Sequence, residues 1–285
     1  MNENTLTTAK GKLYIVATPI GNLSDITLRA IEILKTVDII LAEDTRHCAR
    51  LLNHYQITTK KWSLHNFNEA TQAQKIIALL QSGRNFAVIS DAGTPLISDP
   101  GWALVHAARD NAIEVRAVPG ACALAAALSV VSLPVPQFQF FGFLPVKSGA
   151  RQLVLKKIKD TAMTTIFYES PHRLVAMLTD CQHILGDARH YYCVKELTKI
   201  HETVRDGSAS DVLQWLQSQP EHLKGEFIIF IGPGSQEQVC TQSLEEAQRL
   251  LNTLRPHLPL NIAVKIAAQQ YAVNKNQLYA LAVHA

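Results

Sequence analysis

Two short loops rich in glycine, proline and aspartate constrain the fold of this chain more than any other feature. The sequence PIGN at 19–22 follows the apolar run 13–17, and DAGTPLISDPG at 91–101 follows the apolar run 86–89. Each loop therefore has the pattern of a turn that leaves the carboxyl end of a buried strand. Glycine lets the backbone approach a ligand closely, and proline fixes the turn around it. Because small ligands bind at that edge of open α/β sheets, the two loops predict a binding site.

Composition limits the class of protein. The 285 residues, 47% hydrophobic and 18% charged, are enough for one large or two ordinary globular domains. The net charge of +3 does not by itself indicate nucleic-acid binding. The five cysteines form no C-x-x-C pair and the histidines no H-E-x-x-H pattern, so we expect the cytosol, no disulfide scaffold and no metal site. No apolar run approaches a membrane span, and residues 1–10 lack the apolar core of a signal peptide.

Strand and helix patterns alternate along the first 120 residues. Helical spacing after Ser24 and Asp25, two candidate capping residues, predicts a helix over 26–37. Repeated strand–helix units predict a parallel sheet. The strands are expected at 13–17, 39–42, 86–89 and 113–118, and further helices at 69–81 and 102–109.

The sequence SLPVP at 132–136 predicts a linker, because two prolines end the preceding helix. A second alternating block follows, so we expect two α/β domains with a ligand cleft between them. Its strands are expected at 138–141, 164–168, 191–194 and 227–231, and its helices at 151–159, 173–181 and 209–216. The predicted division is an N-terminal domain over 1–122, a C-terminal domain over 123–236 and a helical tail over 237–285.

The tail is expected to contain helices at 244–254, 262–271 and 277–283. Such an arrangement could resemble a helix-turn-helix. A helical cap on the second domain is the interpretation that we favour over a nucleic-acid reader.

Three polar motifs follow predicted strands. In AEDTRH at 42–47, capping of a helix N-terminus explains one acid but not Glu, Asp, Arg and His together, which favours a functional role. VPGACA at 118–123 is a third turn at the same edge, in which Cys122 is expected to be a small packed residue. In YESPHR at 168–173, Ser170 and Pro171 suit a helix start. Helix capping leaves Tyr168, Glu169, His172 and Arg173 unexplained.

Rossmann and P-loop fingerprints are absent.

A basic run lies in the second block. It consists of Lys147, Arg151, Lys156, Lys157 and Lys159. A solvated helix face is the favoured interpretation, and contact with a phosphate backbone is the alternative.

Together, LYIVATPIGNL at 13–23, AEDTRH at 42–47, SDAGTPLISDPG at 90–101 and YESPHR at 168–173 resemble the tetrapyrrole methylase-like superfamily of S-adenosylmethionine enzymes. Within it, they are similar to enzymes that methylate small-subunit ribosomal RNA. The similarity runs from about Gly11 to the end of the chain. Two positions depart from the common pattern: Cys122 stands where serine is common, and Phe67 stands where a second histidine is frequent.

The resemblance implies 2′-O-methylation of a cytidine ribose in the decoding region of 16S ribosomal RNA, with S-adenosylmethionine as methyl donor. It also implies a cytoplasmic bacterial homodimer and a two-domain α/β fold with the cofactor cleft between the domains. The residues that it assigns to the cofactor are Pro19, Asp91, Ala92, Gly93, Thr94, Ser98, Pro119, Gly120, Ala121 and Cys122 on one side, and Tyr168, Glu226 and Phe227 on the other.

The same resemblance places Gly21, Asn22 and residues 43–46 toward the incoming ribose. Glu43 and Asp44 are the candidates for the base or for orienting the hydroxyl, and Arg46 could hold a phosphate with its planar guanidinium. Two other functions stay open: a methyltransferase for a corrin or porphyrinogen, and a non-catalytic ribosome-assembly factor that keeps S-adenosylmethionine as a structural ligand. The basic run and the motif at 42–47 favour RNA.

Overall fold

The computed structural model describes residues 9–133, 135–159, 161–234 and 236–283, and the side chains of all of these except 236–243 and 283. Residues 1–8 of the polar N-terminus, Pro134 of the expected linker and Ser235 lie outside the described residues. The described part divides into two compact units. One contains residues 9–131 together with Val194–Val204, and the other contains the remainder.

The first unit is built on a five-stranded parallel sheet in the order β3-β2-β4-β1-β5. Every strand except the last precedes a helix that returns the chain to the other end of the sheet, as parallel pairing requires. The elements are β1 (Lys12–Val16), α1 (Leu28–Thr36), β2 (Ile39–Ala42), α2 (His47–His54), β3 (Lys60–Ser63), α3 (Glu69–Gln81), β4 (Phe86–Ile89), α4 (Trp102–Asp110), β5 (Glu114–Val118) and α5 (Ala123–Leu128).

Apolar side chains on both faces of this sheet form its cores. Ile39 and Leu41 of β2 pack with residues of α3 and α4, whereas Ile40 and Ala42 pack with α1 and α2. Strands buried on both faces read as continuous apolar runs, which is why β2 and β4 are recognisable in the sequence. All five strands point the same way, so the loops that follow them share one edge.

A second, mixed sheet has the order β6-β7-β10-β8-β9 and belongs to the second unit, except for residues 194–195 and 203–204 at the ends of β8 and β9. β6 pairs parallel with β7, and β7 pairs antiparallel with β10. The elements are β6 (Phe138–Phe143), α6 (Ser148–Lys157), β7 (Thr164–Glu169), α7 (Pro171–Leu185), β8 (Tyr191–Lys195), β9 (Thr203–Gly207), α8 (Ala209–Ser218) and β10 (Phe227–Ile231).

The tail forms three helices: α9 (Gln236–Leu254), α10 (Leu260–Gln270) and α11 (Lys275–Val283). Leu251, Val264, Ala267 and Leu278 belong to one buried apolar cluster to which all three helices contribute. The tail therefore has a small core of its own. Among the described residues, no helix is long and apolar enough to cross a membrane.

Several local expectations were wrong. The helix at α1 is capped by Thr27, whose Oγ1 accepts the Ala30 N–H at 3.1 Å, and not by Ser24 or Asp25. Those two residues lie in a short 3-10 turn that Asn22 caps. β3 and β9 were not expected, because KKWS and TVRDG are polar sequences at the edges of their sheets. The predicted division at 122 and 236 stays a prediction; the compact units place α5 with the first sheet.

Candidate active site at the carboxyl edge of the first sheet

The two loops identified from sequence are joined by backbone hydrogen bonds. The Thr18 N–H donates to the Gly93 carbonyl at 2.9 Å, and the Gly93 N–H donates to the Thr18 carbonyl at 3.0 Å. The buried Thr18 hydroxyl also donates to the Ser90 carbonyl at 3.2 Å. Because β1 and β4 are neighbours in the sheet, their loops meet directly and hold each other in place.

Residues 91–101 adopt a backbone that side chains disfavour. Gly93 and Gly101 have φ of 82° and 125°, and Leu96 and Ser98 have φ of 71° and 69°. A Cβ on Gly93 would lie 3.1 Å from Ile20 Cγ2, so this position needs glycine for space as well as for conformation. Non-glycine residues held at positive φ cluster at binding sites, where the surrounding structure enforces them.

The third turn, Pro119–Cys122, joins the other two. Thr94 Oγ1 donates to the Ala121 carbonyl at 3.0 Å, and a Cβ on Gly120 would lie 3.0 Å from the Ala17 Cβ. Ala92, Pro119 and Gly120 are exposed, so the surface of these turns is accessible to a ligand. The structure thus joins the three turns on which the cofactor residues of the first domain were expected.

Carboxyl groups from neighbouring loops gather beside these turns. Glu43 follows β2, whereas Asp91 and Asp99 belong to the loop after β4. Burial and the Asp91 charge raise the pKa of Glu43, while the nearby His65 lowers it. Burial and the Glu43 charge raise the pKa of Asp99 to about 6. Neighbouring carboxyls with raised pKa values, such as Glu43 and Asp99, are typical of functional sites.

Asp44 differs from Glu43 in its surroundings. It accepts hydrogen bonds from the Arg46 side chain at 3.3 and 3.1 Å and from the Arg46 N–H at 2.8 Å. These bonds lower the pKa of Asp44 to about 2. The Asp44 N–H in turn donates to Asp91 Oδ1 at 3.2 Å, which ties the 42–47 turn to the 91–101 loop. A carboxylate so stabilised is a weak base, so the structure separates two acids that the sequence left equivalent.

Gly21 and Asn22 lie in the loop after β1. Asn22 Oδ1 accepts the Ser24 N–H at 3.1 Å, so its carbonyl side already caps the 3-10 turn. A Cβ on Gly21 would lie 2.5 Å from Lys199 Cγ and 2.9 Å from Thr198 Oγ1. The segment Val194–Val204, which belongs to the first unit, thereby contributes residues to this edge.

Sequence reasoning missed His65, Asp99 and Lys199 as members of this edge. A signal existed for Asp99, which lies inside the DAGTPLISDPG motif. His65 lies in the motif whose position 67 departs from the family pattern, but the strand β3 that places it at this edge was not expected. Lys199 reaches Gly21 from a segment distant in sequence, so no local pattern indicates it.

In the second unit, the residues assigned to the cofactor lie around β7 and β10. The Tyr168 ring packs against Phe140 and Phe143, with ring centroids 4.8 and 5.8 Å apart. Phe227 is buried in the core of the unit, so its side chain is a packing residue and only its main chain could face a ligand. Glu226 immediately precedes β10.

The unexplained Glu169 and Arg173 form an ion pair at 3.2 Å. Arg173 also donates to the Leu144 carbonyl, which joins β7 and α7 to the segment after β6. These two residues therefore have a structural role, and Pro171 opens α7 as expected. Ser170 occupies the cap position without a side-chain capping bond.

The basic run consists of one buried residue and four exposed residues. Arg151 is 4% exposed and pairs with Asp180 at 2.5 Å, so it cannot contact a phosphate backbone. Lys147, Lys156, Lys157 and Lys159 are exposed. Within the described residues, no group of three or more His, Cys, Asp and Glu side chains could hold a metal ion.

Comparison with known proteins places this geometry in a family. Residues 12–213 match the family of tetrapyrrole (corrin/porphyrin) methylases, and residues 241–285 match the RsmI C-terminal HTH domain. The chain belongs to the tetrapyrrole methylase family and is therefore a methyltransferase, as its motifs predicted.

Relatives of known name show which kind of methyltransferase the chain resembles. The chain is 44% identical over 276 residues to ribosomal RNA small subunit methyltransferase I of Escherichia coli O157:H7, covering 96% of each chain. It is 46% identical over 269 residues to the protein of that name from Xylella fastidiosa, covering 94% of this chain and 98% of the relative. These values place it in the ribosomal RNA small subunit methyltransferase I family, which confirms the resemblance.

Solved structures confirm the fold class. The methyltransferase CobJ superimposes with a TM-score of 0.59 at 18% identity, covering 78% of this chain and 94% of that one. A uroporphyrin-III-C-methyltransferase from Thermus thermophilus superimposes with a TM-score of 0.54 at 20% identity, covering 81% and 96%. The match of the tail to an HTH domain supports the helix-turn-helix alternative over the plain cap that we favoured.

Proposed function

We propose that this protein transfers a methyl group from S-adenosylmethionine to the ribose 2′-oxygen of a cytidine in the decoding region of 16S ribosomal RNA. The observation that carries the proposal is the position of Glu43. It is a partly buried carboxyl with a raised pKa, beside three joined turns, in a chain 44% identical to a ribosomal RNA methyltransferase.

The three turns suit S-adenosylmethionine. Its adenosine and amino acid parts offer many hydrogen-bonding groups, and main-chain groups of the exposed residues Ala92, Pro119 and Gly120 are the proposed partners. When bound, the donor supplies a methyl group activated by a sulfonium charge. Pro19, Asp91, Gly93, Thr94, Ser98, Ala121 and Cys122 complete the proposed wall. The contributions of Tyr168, Glu226 and Phe227, and a cleft between the domains, stay predictions.

Glu43 is the proposed base. A ribose hydroxyl must lose its proton as its oxygen attacks, and a carboxylate whose pKa is raised accepts that proton better than an ordinary one. His65 lies near Glu43 and favours its ionised form. Asp44, held by Arg46, is the less basic of the two neighbours.

Arg46 and Asn22 position the substrate in this proposal. The Arg46 side chain is 91% exposed although it pairs with Asp44, so its remaining donors can reach a phosphate. The amide nitrogen of Asn22 can donate to a ribose oxygen while its oxygen caps the turn. Neither role requires proton transfer.

Transfer of a labelled methyl group tests the proposal. The purified protein is incubated with labelled S-adenosylmethionine and either small ribosomal subunits lacking the modification or a porphyrinogen. We expect label in 16S RNA. Label confined to the porphyrinogen would support a tetrapyrrole methyltransferase, and donor binding without any transfer would support the assembly factor.

We also propose that the protein is a homodimer in the bacterial cytoplasm. Phe138, Phe141 and Phe143 of the edge strand β6 are exposed, and a second copy could bury such an apolar surface. Sedimentation of the wild type and of Phe143→Glu tests this. A dimer that the variant weakens supports it, whereas a wild-type monomer contradicts it.

A further inference from the structure

The segment 47–75 of the first unit is unusually basic. It contains Arg50, Lys60, Lys61 and Lys75 against one acid, so its net charge of +3 equals that of the whole chain. The single acid, Glu69, is buried and accepts the Leu104 N–H at 2.9 Å. The exposed lysine, arginine, aspartate and glutamate side chains of this segment are therefore all positively charged.

The cations flank an open sheet edge. β3 is the outermost strand of the first sheet, paired with β2 on one side. Lys60 and Lys75 lie over the Trp62 ring, with Nζ 5.8 and 4.7 Å from its centroid, on the α3 face. Lys61 lies on the opposite face, near Cys48 of α2, whose thiol pKa is raised by burial and lowered by the Lys61 charge. Positive charge thus lines both sides of the edge.

An exposed aromatic residue stands where this edge ends. The Phe67 side chain is 97% exposed. It belongs to residues 64–68, which join β3 to α3 on the edge that carries Glu43. Its ring centroid lies 6.1 Å from that of His65, the residue beside Glu43.

The loop that carries Phe67 is held in shape. Asn68 Oδ1 accepts the His65 N–H at 2.8 Å, and Asn68 Nδ2 donates to the Ser63 carbonyl at 3.2 Å. The Glu69 N–H donates to the His65 carbonyl at 3.0 Å. The aromatic ring is therefore presented on a fixed turn.

We propose that the β3 edge, consisting of Lys60, Lys61, Lys75 and Phe67, binds a single-stranded stretch of the substrate RNA next to the methylated nucleotide. The inference rests on the proposed function and adds where its substrate lies. The lysines contact phosphates, and Phe67 stacks on a base that flanks the target. Cationic grooves combined with aromatic platforms are the usual means of holding unpaired nucleic acid.

Edge strands also carry lysine to prevent pairing with other sheets. Charge reversal distinguishes this protective role from RNA binding. A glutamate also prevents pairing of the edge strand with another sheet, but it repels phosphate. The chain offers a matched control in Lys156 and Lys157 of α6, another exposed adjacent pair, which belongs to the basic run that we interpret as a solvated helix face and not as an RNA contact. The double variants K60E/K61E and K156E/K157E make the same change of charge.

The test measures KM for small ribosomal subunits and the Kd for S-adenosylmethionine. We expect K60E/K61E to raise KM about tenfold or more and to reduce the salt dependence of RNA binding by a slope of about 1–2. K156E/K157E should stay near the wild type. The donor Kd should stay within about twofold in both, which also reports correct folding. Equal effects of the two double variants would overturn the proposal.

Phe67 is tested separately. Phe67→Ala should raise KM about 5- to 100-fold, because it removes the ring on which a base stacks. Phe67→Leu should raise KM nearly as much, since leucine is apolar but has no flat ring. Phe67→Trp should keep KM near the wild-type value. An alanine variant equal to the wild type would overturn the stacking role. If the wild type itself places no methyl group in RNA, the proposed function fails; if it does and these variants have no effect, this inference alone fails.

Discussion

Asp99 lies close enough to Glu43 for the Glu43 charge to disfavour ionisation of the Asp99 carboxyl. Burial and the charge of Glu43 raise the pKa of Asp99 to about 6, although the two residues follow different strands. With Asp91 beside them, three acids crowd one edge of a sheet. Such crowding opposes folding and is retained where function uses it.

Replacing Asp99 by asparagine should stabilise the protein above pH 6. The folded-state pKa lies above the unfolded value of 3.8, so ionisation of Asp99 destabilises the fold as pH rises from about 4 to 6. We expect a gain of about 1–2 kcal/mol at pH 7.5 that vanishes below pH 4. Urea unfolding at several pH values measures it, with the exposed Asp25→Asn as control. A gain that does not depend on pH would contradict the prediction.

Glu43→Gln should reduce kcat far more than Asp44→Asn. Loss of a general base costs about 10²- to 10⁴-fold in rate. Asp44, whose pKa of about 2 makes it a weak base, should instead affect KM by releasing Arg46. Single-turnover methylation with donor binding checked by calorimetry separates the two effects. Full activity in Glu43→Gln would exclude the assignment.

Gly93→Ala should destabilise the first unit and weaken donor binding. Its φ of 82° and the 3.1 Å approach of Ile20 Cγ2 both disfavour a side chain, with an expected cost of about 1–3 kcal/mol. A Cβ on Gly149 in α6 would meet no atom within 4 Å, so Gly149→Ala should be neutral or stabilising. Thermal unfolding compares them, and similar melting temperatures would refute the difference.

Arg151→Ala should destabilise the second unit by about 3–5 kcal/mol, because it leaves the buried Asp180 carboxylate without its cation and with only Ser148 and Gln152 as hydrogen-bond donors. Lys156→Ala on the same helix, at an exposed position, should change stability by less than about 0.5 kcal/mol. Chemical denaturation measures both. An Arg151 variant as stable as the lysine variant would show that the pair contributes little.

Deleting the residues after Gln242 should weaken RNA binding more than donor binding. The tail helices share their own apolar cluster, so the rest of the second unit keeps its core at Phe167, Leu178 and Ile229. Calorimetry with the donor and filter binding with subunits measure the two affinities. Equal loss of both would instead indicate a purely structural cap.

Much of the fold follows from local patterns. β2, β4, α3 and β10 begin and end at the predicted residues, because continuous apolar runs and helical spacing are strong signals. β3 escaped prediction because an edge strand of two lysines, tryptophan and serine has neither alternation nor an apolar run. Its position is set by pairing with β2, which is a tertiary effect.

The sequence predicts which loops meet at the candidate site, but it does not predict how the charged side chains there differ in pKa or burial. Neighbouring strands bring Thr18, Gly93 and Ala121 together, as the shared edge required. The difference between Glu43 and Asp44 depends on the bonds that Arg46 makes and on burial, neither of which a sequence pattern records. The same holds for Arg151, which looked like a surface cation and is a buried partner of Asp180.

Alkaline hydrolysis of the labelled RNA tests the central claim most directly. A methyl group on a 2′-oxygen blocks cleavage of the adjoining phosphodiester, whereas a methyl group on a base does not. After transfer from labelled S-adenosylmethionine to small ribosomal subunits, we predict the label in an alkali-stable dinucleotide that begins with cytidine. Label recovered in mononucleotides would contradict methylation of the ribose.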